Sequence, residues 1–373
     1  MVVKDGRIHS EKYWHVPFHT PSKLVMRSLD ESTAQLQELL QDSVRLRLRA
    51  DVPVGAYLSG GLDSSIIAML ISRNFESRLT TFSMGFQEQR FDESTYQDDL
   101  TETLSSEHRQ IRITNEQIRE FLPDTIRHCE TTLLRTSPVP MYILAHLVKT
   151  QGYKVVLSGE GADEIFGGYT IFKEAKVRKY WGKEPTSLRR PRLLEKLYPY
   201  IFSTPSRGRN FLHAFFSDKQ DEPGDPFFSH RIRWNNSSKN LTFLADTIFT
   251  EVAHYNPMEK MAQQLPSNFC ERDLVSRAQI LEMDIFLSNY LLSSQGDRVS
   301  MAHSVESRHP FLDHRIIDFA FSLPSSWKIR GLNEKYILKR AFRGQLPERI
   351  LHRDKQPYRA PISELFLRSD RDL

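Results

Sequence analysis

The sequence predicts an α/β fold: a doubly wound parallel sheet extended by a helical C-terminal region. Three observations carry this expectation. Strand-like and helix-like patterns alternate four times between residues 52 and 168, as in a sheet built from crossover units. An apolar strand, Val54–Leu58, runs into Ser59-Gly60-Gly61 and then directly into the helical run Ile66, Ile67, Met69, Leu70 and Ile71. A second apolar strand, Lys154–Leu157, ends on another glycine-rich turn that starts at Ser158-Gly159.

The elements follow in order. Val2-Val3 and Arg7-Ile8-His9 flank Lys4-Asp5-Gly6, whose Asp-Gly pair favours a hairpin. Tyr13-Trp14 and Pro17-Phe18 follow it. A lone hairpin is marginal unless it packs on something larger. Residues 1–22 are therefore expected to be a hairpin and linker from the end of a domain, and residues 23–373 a domain of their own. Asp30 is the expected N-cap of a helix with Leu36, Leu39, Leu40, Val44 and Leu48 on one face. Arg45, Arg47 and Arg49 lie largely off that face and read as solvated charges. After the first glycine turn come a strand over Leu79–Phe86, a polar helix near Ser94–Ser105, a strand over Arg109–Ile113 and a helix over Ile118–His128. Ser137-Pro138 is expected to cap a helix running through Lys149. From Ile171 to Thr250 the pattern turns to basic and aromatic helix fragments. Lys173, Lys176, Arg178, Lys179, Lys183, Arg189, Arg190 and Arg192 crowd beside Tyr180 and Trp181. That stretch reads as a charged helical surface or as an RNA contact, and the first reading is the commoner. Residues 271–345 return to helical spacing around Leu281, Ile285, Leu287, Leu291 and Leu292.

Composition narrows the class. The 373 residues are 39% hydrophobic and 11% aromatic, which is globular, with a net charge of +4. That charge suits anionic small molecules and is too weak to argue for nucleic acid. Cys129 and Cys270 make neither a disulfide framework nor a zinc site, so a reducing, cytoplasmic setting is expected. The residues after Met1 are polar, no apolar run approaches a membrane span, and no repeat is visible.

The chemistry concentrates in the two glycine turns. A strand ending in glycines at a helix start leaves unpaired N–H groups converging on one spot, where the helix dipole adds positive potential. Gly60 and Gly61 allow close approach of a phosphate or pyrophosphate, and Ser59, Ser64 and Ser65 add hydroxyl donors. Asp63 is a carboxylate where phosphate should go, which fits a Mg²⁺ between the two. The turn lacks the lysine of G-x-x-x-x-G-K-[ST] and does not fit G-x-G-x-x-G. The second turn, Ser158-Gly159-Glu160-Gly161-Ala162-Asp163-Glu164, carries three carboxylates in five residues. Asp163 pairs with Asp63 as a metal ligand, and Glu160 is a base if burial raises its pKa. The same acids would equally decorate a helix N-terminus.

Ser-Gly-Gly-x-Asp-Ser-Ser resembles the PP-loop of the ATP-pyrophosphatase families. Taken with Leu157–Tyr169, it closely resembles the synthetase domain of asparagine synthetase. Further matches run in order: Ser83-Met84-Gly85-Phe86, Asp297–Ala302, Glu306–Asp313 and Glu334–Leu338. The resemblance implies ATP-dependent activation of the aspartate side-chain carboxylate as an acyl-adenylate, then attack by ammonia to give asparagine, AMP and pyrophosphate. It implies ATP and Mg²⁺, with Ser59, Gly60, Gly61, Asp63, Ser64 and Ser65 holding the phosphates that leave. Leu58, Ser83, Met84 and Gly85 would line the adenine and ribose pocket, and Ser158, Gly159 and Glu160 would border the adenylate. Asp63 and Asp163 would ligate Mg²⁺. Lys335 matches the catalytic lysine that neutralises charge at the α phosphate and acyl carbon, and Glu160 a carboxylate that takes the proton of ammonia. Asp297, Arg298, Glu306 and Arg308 would organise the substrate pocket or form structural ion pairs. A homodimer is among the assemblies the resemblance allows.

The chain departs from that family's full pattern. The glutaminase nucleophile of such enzymes is an N-terminal cysteine, and here position 2 is Val2. This chain alone is therefore not expected to hydrolyse glutamine. Ammonia is expected free, or from a separate or missing glutaminase domain, whose last strands the hairpin resembles. The chain also stops soon after Lys355–Pro361, where relatives continue with more helix. Three rivals share the motifs: an amide ligase or cyclase of specialised metabolism, similar to β-lactam synthetase; a PP-loop tRNA-modifying enzyme using the basic stretch; and a non-catalytic ATP-binding remnant.

Overall fold

The computed structural model describes residues 1–17, 27–74, 79–88, 92–199, 205–356, 358 and 360–361. The expected boundary at 22/23, with Phe18, Pro357 and Arg359, lies outside the described residues. β1 (Val2–Lys4) and β2 (Arg7–His9) form the expected antiparallel hairpin, with Val3 opposite Ile8. Asp5 and Gly6 both take positive φ, 51° and 69°, as a two-residue turn of this hand requires. All six strand residues are exposed.

α1 (Leu29–Arg47) starts at Ser28, not at Asp30. Ser28 accepts from the Glu31 N–H while Glu31 reaches back to the Ser28 N–H, a reciprocal capping box that Asp30, two residues later and already inside the helix, cannot build. Leu36, Leu40 and Val44 are buried along its inner face as the spacing predicts.

Five strands make one parallel sheet: β3 (Val54–Tyr57), β4 (Thr80–Phe86), β5 (Glu107–Ile113), β6 (Val155–Leu157) and β7 (Glu306–Arg308), in spatial order β5-β4-β3-β6-β7. The doubly wound sheet is thus present. β7 is an addition, since three polar residues inside Glu306–Asp313 carry no strand signal. The pleat sends alternate residues to opposite faces. Ala56, Leu58 and Leu157 join Leu36, Leu40, Ile66, Ile67 and Leu70 in one core, while Tyr57, Phe82 and Val156 join Leu144 and Val148 in another. Each such buried side chain stabilises by roughly 1.5–3 kcal/mol. Gly55 keeps the sheet tight, because a Cβ there would stand 2.7 Å from the Phe82 ring.

α2 (Leu62–Asn74), α3 (Ser94–Leu104), α4 (Asn115–Cys129) and α5 (Pro138–Thr150) fill the crossovers. Ser137 precedes α5 but makes no capping hydrogen bond; Pro138 opens the helix. α6 (Ala162–Phe166) and α7 (Thr170–Gly182) follow β6. Strand order grows outward from β3 through β4 to β5, and in the other direction through β6 to β7. The crevice at the carboxyl ends of β3 and β6 is therefore the topological switch point, where such sheets bind ligands.

The basic stretch on α7 turns partly inward. Arg178 is 1% exposed and donates to the carbonyls of Phe228 and Asp218 at 2.7 Å and of Phe216 at 3.2 Å. Lys173 Nζ lies 2.8 Å from the buried Glu334 carboxylate, and Lys176 donates to Ile329 and Gly331 carbonyls. These three cations are used within the fold, while Lys179, Lys183, Arg189 and Arg192 of the same stretch are exposed. The expected helix over Leu281–Leu292 is present, but its run Glu282–Asp297 is π-helix. Its wider turn carries Phe286, Tyr290 and Gln295 toward the switch-point crevice, and such segments are frequent at functional sites.

Candidate active site

β3 continues past Tyr57 with a 2.8 Å bond from Leu58 N–H to the Phe82 carbonyl, then turns at Ser59-Gly60-Gly61. Gly60 has φ +72°, and a Cβ there would stand 2.7 Å from Tyr96 Cβ on α3. The loop is held from within. Ser59 N–H donates to Ser64 Oγ at 3.2 Å, and Ser65 Oγ donates to the Gly61 carbonyl at 2.7 Å. Asp63 sits in the first turn of α2 and is buried.

The second turn leaves β6 at Leu157. Ser158 N–H bonds the Arg308 carbonyl at 2.9 Å, and Ser158 Oγ shares a 2.7 Å hydrogen bond with His309 Nδ1. Gly159 is where the two turns meet: a Cβ there would stand 2.8 Å from Ser64 N and 2.9 Å from Asp63 Cβ. Only glycine permits that contact. All of α6, with Asp163 and Glu164, is buried.

Two lysines enter this space. Lys335 Nζ lies 2.8 and 2.6 Å from the two Asp63 oxygens and 2.6 Å from Asp163 Oδ1. Lys355 Nζ lies 2.6 Å from the other Asp163 oxygen, Oδ2. Lys335 has φ 52°, a left-handed conformation uncommon outside glycine and concentrated at functional sites. Burial works against ionisation of the Asp163 carboxyl, but Lys335 and Lys355 outweigh it and hold it down at about 2. Burial pushes Glu160 up to about 7, with Asp163 and Asp63 adding to it against the pull of Lys355. Glu164, fully buried, is pushed up to about 8 by burial and by its neighbours Asp163 and Glu160. Its carboxyl accepts from the Tyr169 hydroxyl at 2.8 Å.

Asp63, Glu160, Asp163, Lys335 and Lys355 line one cavity of about 920 Å³, with Glu164 behind its wall. Of the residues singled out in the sequence, Leu58, Ser59, Gly61, Asp63 and Ser64 line it, as do Ser83 and Met84. So do Ser158, Gly159, Glu160, Asp163 and Lys335. Gly60, Ser65 and Gly85 do not: Gly60 packs under Tyr96, Ser65 is turned to Gly61, and Gly85 faces Asp92 and Gln110. Asp297, Arg298, Glu306 and Arg308 also lie off the cavity wall. Arg298 bonds the Cys129 carbonyl, and Arg308 pairs with Glu306 at 2.7 Å and with the Arg47 and Arg49 carbonyls, so these arginines are structural.

Sequence reading missed the C-terminal segment. Arg353 donates to the Gly60 carbonyl at 3.1 Å, pairs with Glu93 and stacks 4.0 Å over the Tyr96 ring. Lys355 and Tyr358 line the cavity beyond it. The run Lys355–Pro361 has cation and aromatic content, but no periodicity or turn signal marks it as site-bearing. His309 and the aromatic wall of Tyr169, Phe286 and Tyr290 also line the cavity; they lie in matched or periodic segments, but nothing in the sequence singled them out as site residues.

The carboxylates suit Mg²⁺. Asp63 and Asp163 converge on a single cationic nitrogen, each within 2.6 Å of Lys335 Nζ, and offer hard oxygen donors to one point. Among the described residues no group of three or more His, Cys, Asp or Glu is arranged to hold a metal. An ion there would take its remaining ligands from phosphate and water, as Mg²⁺ does.

Among the described residues no helix is long and apolar enough to cross a membrane. Comparison with known proteins agrees with the motifs. The family model described as Asparagine synthase matches residues 35–372. Glutamine-hydrolyzing asparagine synthetase 1 of Bacillus subtilis is 30% identical over 365 residues, covering 96% of this chain and 54% of its own length. Asparagine synthetase 3 of the same organism is 28% identical, covering 95% of this chain and 52% of its own length. Amidase chry2 of Gibberella zeae is 27% identical, covering 95% of this chain and 56% of its own length. The chain spans about half the length of these curated relatives. With the loop, the second turn and the sheet all in place, the chain belongs to the asparagine synthase family.

Proposed function

We propose that the chain is an ATP-dependent amide-forming synthetase, working in the cytoplasm, that activates the aspartate side-chain carboxylate as an acyl-adenylate for attack by ammonia. The observation that carries this reading is the convergence, in one cavity at the switch point, of the phosphate-type loop, two lysines and a carboxyl pushed up to about 7. Residues 23–373 act as the synthetase domain, and the exposed hairpin is the end of a glutaminase domain that delivers ammonia.

Each residue has a task. The N–H groups around Gly61 and the Ser59 and Ser64 hydroxyls take the β and γ phosphates, which leave as pyrophosphate. Leu58, Ser83 and Met84 hold the adenine side, with Gly60, Ser65 and Gly85 shaping the loop and strand from behind. Asp63 and Asp163 would hold a Mg²⁺, which when bound would supply positive charge against the phosphates. Lys335, between both aspartates, takes the charge growing on the α phosphate and the acyl carbon, and Lys355, on the other Asp163 oxygen, adds a second positive charge beside it. The aspartate carboxylate oxygen attacks the α phosphorus, and pyrophosphate departs. Ammonia then attacks the acyl carbon beside Ser158 and Gly159, Glu160 accepts a proton from the new ammonium nitrogen, and AMP leaves with the oxygen it gained.

A second reading, an amide ligase for a bulkier acyl group, is favoured by one observation. Phe286 stacks on Tyr290 at 5.4 Å and meets Tyr169 at 6.4 Å along the cavity wall. The relative named amidase chry2 is consistent with it. Product analysis with Mg²⁺–ATP, aspartate and ammonium, with glutamine in parallel, decides between them. Asparagine, AMP and pyrophosphate from ammonium alone support the first reading. AMP formation that depends on another acid and ignores aspartate replaces it with the second.

A further inference from the structure

The two site lysines are twenty residues apart in sequence, on separate segments, and one buried carboxylate joins those segments. Glu334 is 2% exposed and immediately precedes Lys335. Its Oε2 accepts from Lys173 Nζ on α7 at 2.8 Å. Its Oε1 accepts from Lys339 Nζ at 3.3 Å and from the backbone N–H of Lys355 at 3.3 Å. The last contact anchors the main chain of the residue whose ammonium lies 2.6 Å from Asp163. Lys339 also returns to Lys335, its N–H bonding the Lys335 carbonyl at 2.8 Å.

We infer that Glu334 is a positioning residue that seats Lys355 against Asp163 and thereby sets the spacing between the two site ammonium groups. A carboxylate suits the task. It offers two oxygens with several lone pairs, so it binds two ammonium groups and one amide at once, and its charge offsets that of the largely buried Lys173. An apolar side chain there would leave Lys173 without a counter-charge and the Lys355 amide without an acceptor. The inference rests on the proposed function only in its kinetic part.

The test is competitive acetylation of the full chain with acetic anhydride, read lysine by lysine by mass spectrometry, in wild type and Glu334→Gln. Acetylation needs an accessible amine, and the contact with Asp163 holds the Lys355 amine inside the site. Release of Lys355 in the variant is expected to raise its labelling about tenfold. Lys328, fully buried on another segment, reports on the fold and is expected to stay protected. Glu334→Asp keeps the charge for Lys173 but draws the carboxylate back from the Lys355 amide. It gives the same selective rise and serves if the glutamine variant does not fold. Labelling of Lys355 at the wild-type rate overturns the inference. So does a rise at Lys328 in step with Lys355, which assigns Glu334 to stability alone. In the kinetic arm, acid-dependent exchange of pyrophosphate into ATP is expected to fall about tenfold in kcat with the KM for ATP moved less than twofold. Absence of exchange in the wild type would count against the synthetase reading while leaving the labelling result intact.

Discussion

Lys355 Nζ and Lys335 Nζ hold opposite oxygens of the same Asp163 carboxylate, each at 2.6 Å. Two ammonium groups and the Asp63 and Asp163 carboxylates thus form a charge-balanced array before any nucleotide arrives. Lys335 also holds Asp63 of the phosphate loop, whereas Lys355 lies on Asp163, so the two should fail differently when removed.

Lys355→Ala is expected to lower kcat for acyl-adenylate formation roughly 100- to 1,000-fold with little change in nucleotide affinity, the usual scale for losing one charge stabiliser. Lys335→Ala removes the cation between Asp63 and Asp163, leaving Lys355 on Asp163 only, and is expected to weaken ATP binding as well. Parallel titration with a non-hydrolysable ATP analogue and exchange kinetics separates the two. Equal affinity and equal rate in both variants would refute the division of labour.

Glu160 pushed up to about 7 has a pH consequence. A base must be ionised to accept a proton, so amide formation should rise with pH through about 7 and level off above it. The profile is measured at constant free ammonia, with adenylate formed beforehand. Glu160→Gln should flatten it and slow the step roughly 100-fold.

Gly159→Ala tests the contact between the turns. The new Cβ meets backbone at Ser64 N, 2.8 Å away, and cannot be relieved by a side-chain rotation. The expected result is a stability loss of about 1–3 kcal/mol with nucleotide binding reduced at least tenfold. Denaturant melts and analogue titration read both, and wild-type values in each would contradict the packing described.

Acid sensitivity should follow two histidines, the buried His303 and the half-buried His309. Burial, with His146, Lys149 and His128 adding, pushes His303 down to about 4, and burial with Arg47 does the same for His309. Both folded pKa values lie below the ordinary 6.5 of an unfolded histidine. The unfolded chain therefore binds more protons between these limits, and stability falls as pH drops from 6.5 toward 4. Each histidine accounts for up to about 1.4 kcal/mol per pH unit. His303→Asn should remove one such contribution from the pH slope of urea midpoints, and an unchanged slope would contradict its burial as a neutral ring.

Much of this was legible because both glycine turns sit at strand ends and combine backbone demands with charge. Ser59–Ser65 and Ser158–Asp163 announce close approach, unpaired N–H groups and carboxylates in a few consecutive residues. Lys335 was found through the Glu334–Leu338 match. Lys355 and Arg353 were not, because they lie on irregular chain whose only order is tertiary: hydrogen bonds to Glu334 and Gly60, hundreds of residues away in the latter case. β7 escaped for a similar reason, being three polar residues made into a strand by β6 beside them. Ser28 displaced Asp30 as the helix cap because the capping box depends on Glu31 three residues on, a reciprocal signal that outweighs the presence of one suitable carboxylate.

The central claim is that the carboxylate becomes an acyl-adenylate. Aspartate labelled with oxygen-18 in its side-chain carboxylate, incubated with Mg²⁺–ATP and ammonium, tests it directly. The account predicts one labelled oxygen in the AMP released and none in pyrophosphate. Unlabelled AMP, or label in a product cleaved between the β and γ phosphates, would contradict it.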